Sequence, residues 1–335
     1  MDGINDIKHL LATAKDIVIV SHRNPDGDAI GSSYGLKYFL EGKYHTAQVI
    51  FPSEYPPLFN FLEDIDQTMI FDTDPEDAFR AIEKADIIFC LDFNALDRVD
   101  KMGSAIEKSS AKKILIDHHL DPEPFADFTL SETEASSTCE LIYKFFDLLG
   151  ETSKISPKIS ESLFIGLITD TGSFKYSTRA YTYEVAAELK NRGANDYFIQ
   201  DKIFNSQQEK HLRLLGHCLA NRMEIIPEYR TGIIHLTKSD YAKFKIARGD
   251  TEGIVNHILM INHIDVAAFI TEQPTIIKLS LRSKGDISVQ EIARNHFNGG
   301  GHKNASGGSA YAKLEDVINR FKSVLPRYIQ RQENS

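Results

Sequence analysis

Through its first half the sequence alternates short apolar runs with segments of helical period. Asp16-Ile17-Val18-Ile19-Val20 is β-branched, stops at Ser21-His22 and reads as a buried strand. A helical pattern over 29–40 follows, with Ile30, Tyr34, Leu36, Tyr38 and Phe39 as its apolar surface. Further strands are expected at 49–51, 69–71, 86–91 and 113–116, with a helix at 78–84. Strands separated by helices of this length argue for a parallel sheet covered on both faces, an α/β fold.

Helical spacing continues at 136–149, 159–168 and 181–190, and the last segment stops at Asn191-Arg192-Gly193, a C-terminal cap. Beyond it the pattern weakens and Gln207-Gln208-Glu209-Lys210 collect. The second half reads as α+β, with strands at 231–236, 266–271 and 275–281 and helices at 251–259, 289–296 and 314–324. The expected organisation is a larger α/β lobe over 1–195, a linker over 196–212 and a smaller α+β lobe over 213–335. A length of 335 residues suits two domains.

A composition of 42% hydrophobic and 26% charged residues excludes a disordered, a collagen-like or a membrane-bundle chain. The sequence shows neither a signal peptide nor an apolar run of about 18 residues. A cytoplasmic protein with no membrane partner is expected. Cys90, Cys139 and Cys218 are odd in number and widely spaced, which gives neither a disulfide framework nor a zinc signature. Cys90, inside an apolar run, is expected to be a buried small hydrophobe.

The net charge of −10 first argues against a nucleic-acid partner. It hides an asymmetry. Residues 1–200 carry 19 Lys/Arg against 34 Asp/Glu, whereas residues 201–335 carry 19 against 14. The difference serves solubility alone, or else an acidic half binds metal and a basic half binds an anion.

The ends of the apolar runs favour the second alternative. His22-Arg23-Asn24-Pro25-Asp26-Gly27-Asp28 puts one histidine and two carboxylates in a tight turn between strand and helix. Imidazole and carboxylate without thiolate suit Mn²⁺, Mg²⁺, Fe²⁺ or Co²⁺. Asp92 follows the strand at 86–91, and Asp117-His118-His119 follows the strand at 113–116. Both stand where open α/β sheets bind ligands. Asp170 closes an apolar helix, where the dipole disfavours an uncompensated acid and a metal would supply positive charge.

Near the C-terminus, Asn298-Gly299-Gly300-Gly301-His302-Lys303-Asn304-Ala305-Ser306-Gly307-Gly308 holds five glycines in eleven residues. Such a loop can form a backbone nest for phosphate. Upstream, alternation along a strand is expected to put Ser280, Arg282 and Lys284 on one face.

His22-x-x-x-Asp26-x-Asp28, the isolated Asp92, Asp117-His118-His119 and Asp170-Thr171-Gly172-Ser173-Phe174 resemble the four motifs of the DHH phosphoesterase superfamily. The cluster at 299–308 resembles the closing motif of the DHH-associated C-terminal domain. Length and layout are most similar to the bacterial nanoRNase and pAp phosphatase branch. The resemblance implies two lobes around a cleft and two divalent metal ions, Mn²⁺ first, with Mg²⁺ or Co²⁺ as alternatives. It implies His22 and Asp26 on the first ion, Asp28 and His118 on the second, and Asp92 and Asp170 contacting both. Asp117 and His119 become catalytic, Asp117 orienting the site and His119 facing the substrate phosphate. Ser280, Arg282, Gly300, Gly301, His302 and Lys303 would bind substrate.

The function so implied is hydrolysis of short single-stranded oligoribonucleotides to nucleoside monophosphates and of 3′-phosphoadenosine 5′-phosphate (pAp) to AMP. Stable binding of duplex nucleic acid is not expected, and a homodimer is left open. The alternatives are a cyclic di-AMP or pApA phosphodiesterase, a pyrophosphatase or polyphosphatase, a RecJ-like exonuclease and a non-catalytic nucleotide-binding module.

Overall fold

The computed structural model describes residues 3–330 apart from 14, 207 and 248. The chain divides into two units, Met1–Ser206 and Gln207–Ser335.

The first unit runs α1 (Ile4–Leu10), β1 (Asp16–Ser21), α2 (Gly27–Glu41), β2 (Thr46–Phe51), β3 (Met69–Ile70), α3 (Pro75–Lys84) and β4 (Ile87–Leu91). It continues through α4 (Met102–Lys108), β5 (Lys112–Asp117), β6 (Phe128–Ser131), α5 (Thr138–Leu149), α6 (Pro157–Asp170), α7 (Ala180–Asn191) and α8 (Asp196–Phe204). Its sheet has the order β3-β2-β1-β4-β5-β6, and every pairing is parallel. Beyond the exposed first residues of β1 and β5, the central strands are buried because side chains of both faces meet apolar neighbours. Ile17, Ile19, Ile87, Phe89 and Ile114 join the larger core, while Val18, Val20, Ile88, Cys90 and Leu115 join the smaller one. From β1 the chain steps outward to β2 and β3, then returns to lay β4 on the other side of β1. The order reverses between β1 and β4, the position at which such sheets open a crevice beyond their carboxyl ends.

Three helices crowd against this crevice. A Cβ on Gly31 of α2 would lie 2.4 Å from the Ser162 carbonyl of α6. A Cβ on Gly166 of α6 would lie 2.2 Å from Cys139 Sγ of α5 and 2.4 Å from Asp28 Oδ1 of α2. Only the missing side chains let α2, α5 and α6 meet so closely.

The segment expected to begin a linker at 196 is α8 instead. Asn195 caps it by accepting from the Phe198 N–H at 3.1 Å, and Ile199 and Ile203, four residues apart, enter the first unit's core. Residues 209–212 of that segment begin α9.

The second unit comprises α9 (Glu209–Asn221), β7 (Met223–Ile226), β8 (Thr231–Leu236), α10 (Lys238–Phe244), α11 (Ile254–Leu259), β9 (Val266–Glu272) and β10 (Ile277–Ser283). It ends with α12 (Val289–His296), β11 (Gly300–His302), β12 (Ala305–Ala310) and α13 (Leu314–Val324). Its sheet has the order β11-β12-β10-β9-β8-β7, antiparallel except for β8 beside β9. The glycine-rich segment, expected as a loop, is largely the β11–β12 hairpin. Glycine is needed there for close approach, because a Cβ on Gly299 would lie 2.0 Å from the Gly307 carbonyl. Among the described residues no helix is long and apolar enough to cross a membrane.

Candidate metal centre

Each acidic or histidine motif of the first half ends an element at the crevice. His22 follows β1, and Asp26 caps α2, accepting from the Asp28 and Ala29 N–H groups at 3.0 and 3.1 Å. Asp28 lies in the first turn of α2 and Asp170 is the last residue of α6. Asp92 continues the ladder beyond β4 through its N–H to the Ile116 carbonyl, then turns with a φ of 64°. That left-handed conformation is uncommon outside glycine, although aspartate tolerates it better than most, and it concentrates at functional sites. Asp117 ends β5 and is followed by His118 and His119.

These side chains converge. His22 Nε2 lies 3.4 Å from Asp92 Oδ2 and 3.9 Å from Asp26 Oδ1. His118 Nε2 lies 3.3 Å from Asp170 Oδ2, 3.5 Å from Asp92 Oδ1 and 3.9 Å from Asp28 Oδ2. Among the groups whose ligand atoms all lie within 4.8 Å of one another are His22, Asp26 and Asp92, and Asp28, Asp92 and His118. Asp92 is common to both. The imidazoles are oriented from behind, since a carbonyl can only accept. His22 Nδ1 donates to the Arg23 carbonyl at 2.9 Å and His118 Nδ1 to the Ala135 carbonyl at 3.3 Å, which turns each Nε2 toward the carboxylates. His119 Nδ1 donates to Asp117 Oδ1 at 2.7 Å.

The charges are unbalanced. Among the described residues, the ion pairs of Asp26, Asp28, Asp92 and Asp170 are with histidines alone. Burial and the charge of Asp92 raise the Asp28 pKa to about 7. Burial and the charges of Asp28 and Asp26 push Asp170 well above the carboxylate range. Burial opposes the charged form of His22, but the Asp92 hydrogen bond and the charge of Asp26 outweigh it and raise its pKa to about 9. His118 is raised well above its ordinary value in the same way, chiefly by Asp92 and Asp170 against burial. Burial likewise opposes the charge on Asp92, and hydrogen bonds from His118 and His22 overcome it, holding that carboxyl well below its usual range. Cys139 supplies no thiolate, because burial and the Asp28 charge push its pKa well up. The donor set is therefore imidazole nitrogen and carboxylate oxygen, which fits hard or borderline divalent ions.

Polar groups at the start of α5 also touch the cluster, and sequence reasoning missed them. Thr138 Oγ1 donates to Asp92 Oδ1 at 3.0 Å, and the Cys139 N–H donates to Asp28 Oδ1 at 2.9 Å. The available signal was a Ser-Ser-Thr run opening a helix, which reads as ordinary capping.

The second unit assembles its own set. Across its sheet Arg282 pairs with Ala305 and Ala305 with His302, while Ser280 pairs with Gly307 and Gly307 with Gly300. Directly paired residues share a face, so Ser280, Arg282, Gly300 and His302 line one side of three strands. Leu281, Ser306 and Gly301 occupy the intervening row and belong to the other face. Lys303 is turned to Asp286, 2.8 Å from its carboxylate. Lys284 lies beyond β10 and donates to the Ile261 carbonyl at 3.3 Å, so it does not continue the expected face.

A family model described as DHH family, N-terminal domain, matches residues 16–167, and one described as DHHA1 domain matches residues 234–330. Over 325 residues the chain is 30% identical to the probable bifunctional oligoribonuclease and PAP phosphatase of Streptococcus mutans, covering 95% of this chain and 98% of that protein. It is 25% identical over 324 residues to a cyclic-di-AMP phosphodiesterase of Listeria monocytogenes, covering 93% of this chain and 46% of that protein. The crystal structure of an exopolyphosphatase-related protein from Bacteroides fragilis superposes with a TM-score of 0.94 at 40% identity, covering 97% of this chain and 96% of that one.

Proposed function

The chain belongs to the DHH phosphoesterase family, and from that premise we propose that it hydrolyses short oligoribonucleotides to nucleoside monophosphates and dephosphorylates pAp to AMP. The observation that carries this reading is the pair of ligand groups sharing Asp92. His22 and Asp26 would hold one divalent ion, Asp28 and His118 a second, with Asp92 and Asp170 on both and Mn²⁺ as the working metal. When bound, such ions neutralise a phosphoryl group and lower the pKa of water. The chain's own residues do the rest. Buried carboxylates exclude competing anions except where cations balance them. Asp117 fixes the His119 ring, which meets the phosphoryl or leaving oxygen. The Arg282 and His302 face of the second unit offers donors for a phosphate or nucleotide, and the side chains missing at Gly300 and Gly307 leave room on that face. A cytoplasmic location suits short nucleotide substrates.

The relative named for cyclic di-AMP supports a second reading, hydrolysis of cyclic di-AMP or its linear product. Turnover with Mn²⁺ across pAp, a 5′-phosphorylated diadenylate, a short RNA, cyclic di-AMP, pyrophosphate and polyphosphate separates the readings. The proposal expects the first three to be consumed. Preference for cyclic di-AMP or the diadenylate, with pAp and RNA left intact, would favour the second reading, and preference for pyrophosphate or polyphosphate would overturn both.

A further inference from the structure

We propose that Thr138 is a positioning residue for the ion centre and that buried Glu140, joined to Arg179, holds it in place. The inference rests on reading the carboxylate and histidine cluster as that centre. Thr138 opens α5, yet its hydroxyl does not cap the helix. Ser137 does that, accepting from the Glu140 N–H at 3.1 Å. The Thr138 hydroxyl is instead given to Asp92, the carboxylate common to both ligand groups, at 3.0 Å. Its backbone N–H and that of Cys139 grip the two oxygens of Asp28. Three residues upstream, the Ala135 carbonyl takes His118 Nδ1. Asp28, Asp92 and His118 therefore all end on residues 135–139.

That segment is fixed from behind. Glu140 is fully buried. Its Oε2 accepts from Ser136 Oγ at 2.7 Å and Thr182 Oγ1 at 2.6 Å, and its Oε1 accepts from Arg179 Nε at 2.8 Å. Burying a carboxylate is costly, and an apolar residue would fill the space more cheaply. What the charged pair adds is a defined position. It ties the start of α5 to the start of α7, the helix that follows Asp170. Groups that orient metal ligands in this way are commonly worth 10- to 100-fold in affinity or activity.

The test uses the full chain with Thr138→Val, Thr138→Ser and Glu140→Gln. Three quantities are read: Mn²⁺ affinity by calorimetry, kcat and KM on the preferred nucleotide, and melting temperature without metal. Thr138→Val keeps shape and backbone donors, and it should weaken Mn²⁺ binding or kcat by about 10- to 100-fold while KM and metal-free melting stay near wild type. Thr138→Ser should restore wild-type values, and Glu140→Gln should shift affinity in the same direction as valine. Wild-type affinity and kcat in Thr138→Val would overturn the proposal. So would equal damage in the valine and serine variants, which would assign the effect to packing of the methyl group. The calorimetric arm decides the matter even if no nucleotide is turned over, an outcome that would defeat the proposed function instead.

Discussion

Asp92→Asn changes one oxygen to nitrogen at the carboxylate common to both ligand groups. At about 4 Å and an effective dielectric near 20, two unit charges interact by about 4 kcal/mol, and a divalent ion doubles that figure. Desolvation cancels most of it. If about 2 kcal/mol per ion survives, each ion binds about 30-fold more weakly. At a Mn²⁺ concentration about 100 times the wild-type Kd, binding stabilises the folded wild type by about 2.7 kcal/mol per ion, and a 30-fold weaker site by about 0.9. Differential scanning fluorimetry with and without Mn²⁺ should therefore show a metal-induced rise in melting temperature several degrees smaller in the variant. Without metal the variant should melt lower than wild type, because ionised Asp92 is itself stabilised by hydrogen bonds from His118 and His22, so the metal-induced shift and not the absolute melting temperature is the readout. Turnover should fall by about 10³ or more, the loss of a positioning interaction at both ions. A variant with the wild-type Mn²⁺ shift, or with turnover within tenfold, would refute the assignment of Asp92.

Three further outcomes are expected. Arg282→Ala removes a charged donor from the second unit's sheet face and should raise KM for short nucleotides by about 10- to 100-fold; hydrolysis of bis-p-nitrophenyl phosphate should change little, and equal loss on both would remove the recognition role. Gly166→Ala drives a methyl group to 2.4 Å from Asp28 Oδ1 and should lower Mn²⁺ affinity together with melting temperature by about 1–3 kcal/mol of stability, read by calorimetry and thermal melts. Asp240→Asn weakens a carboxylate that accepts from Thr237, His217 and Arg222 at 2.8–2.9 Å, and should cost about 1.5–3 kcal/mol at neutral pH by urea unfolding. Against burial, those partners hold its folded-state pKa below the unfolded value, so its stabilisation is present above the unfolded carboxylate range and fades as pH falls below it. The gap between wild type and variant should close in acid.

Much of this was legible in the sequence because parallel strands are written as continuous β-branched runs. β1, β4 and β5 announced themselves, and so did His22, Asp92 and Asp117 at or just past their ends. What failed to show depended on partners far away in sequence. α8 carries its burial on Ile199 and Ile203 alone, too sparse a stripe to separate from a polar linker. Glycine normally signals a loop, and only pairing with β12 reveals that residues 300–302 are strand. Thr138 and Glu140 look like any helix start. Their meaning lies in Asp28 and Asp92, more than forty residues upstream on other elements.

The donors of the cluster come from β1, α2, β4, β5 and α6, from residue 22 to residue 170. No local hairpin or single helix can assemble them. A nascent chain emerging from a ribosome would lack the last carboxylate until α6 had left the exit tunnel. Ion capture would thus come late, as a clasp on a sheet already wound in both directions. Any divalent ion held there would then count against every partly opened form of the first unit, since releasing one of those elements undoes the whole cage. Chelation followed by limited proteolysis would show how far that clasp reaches.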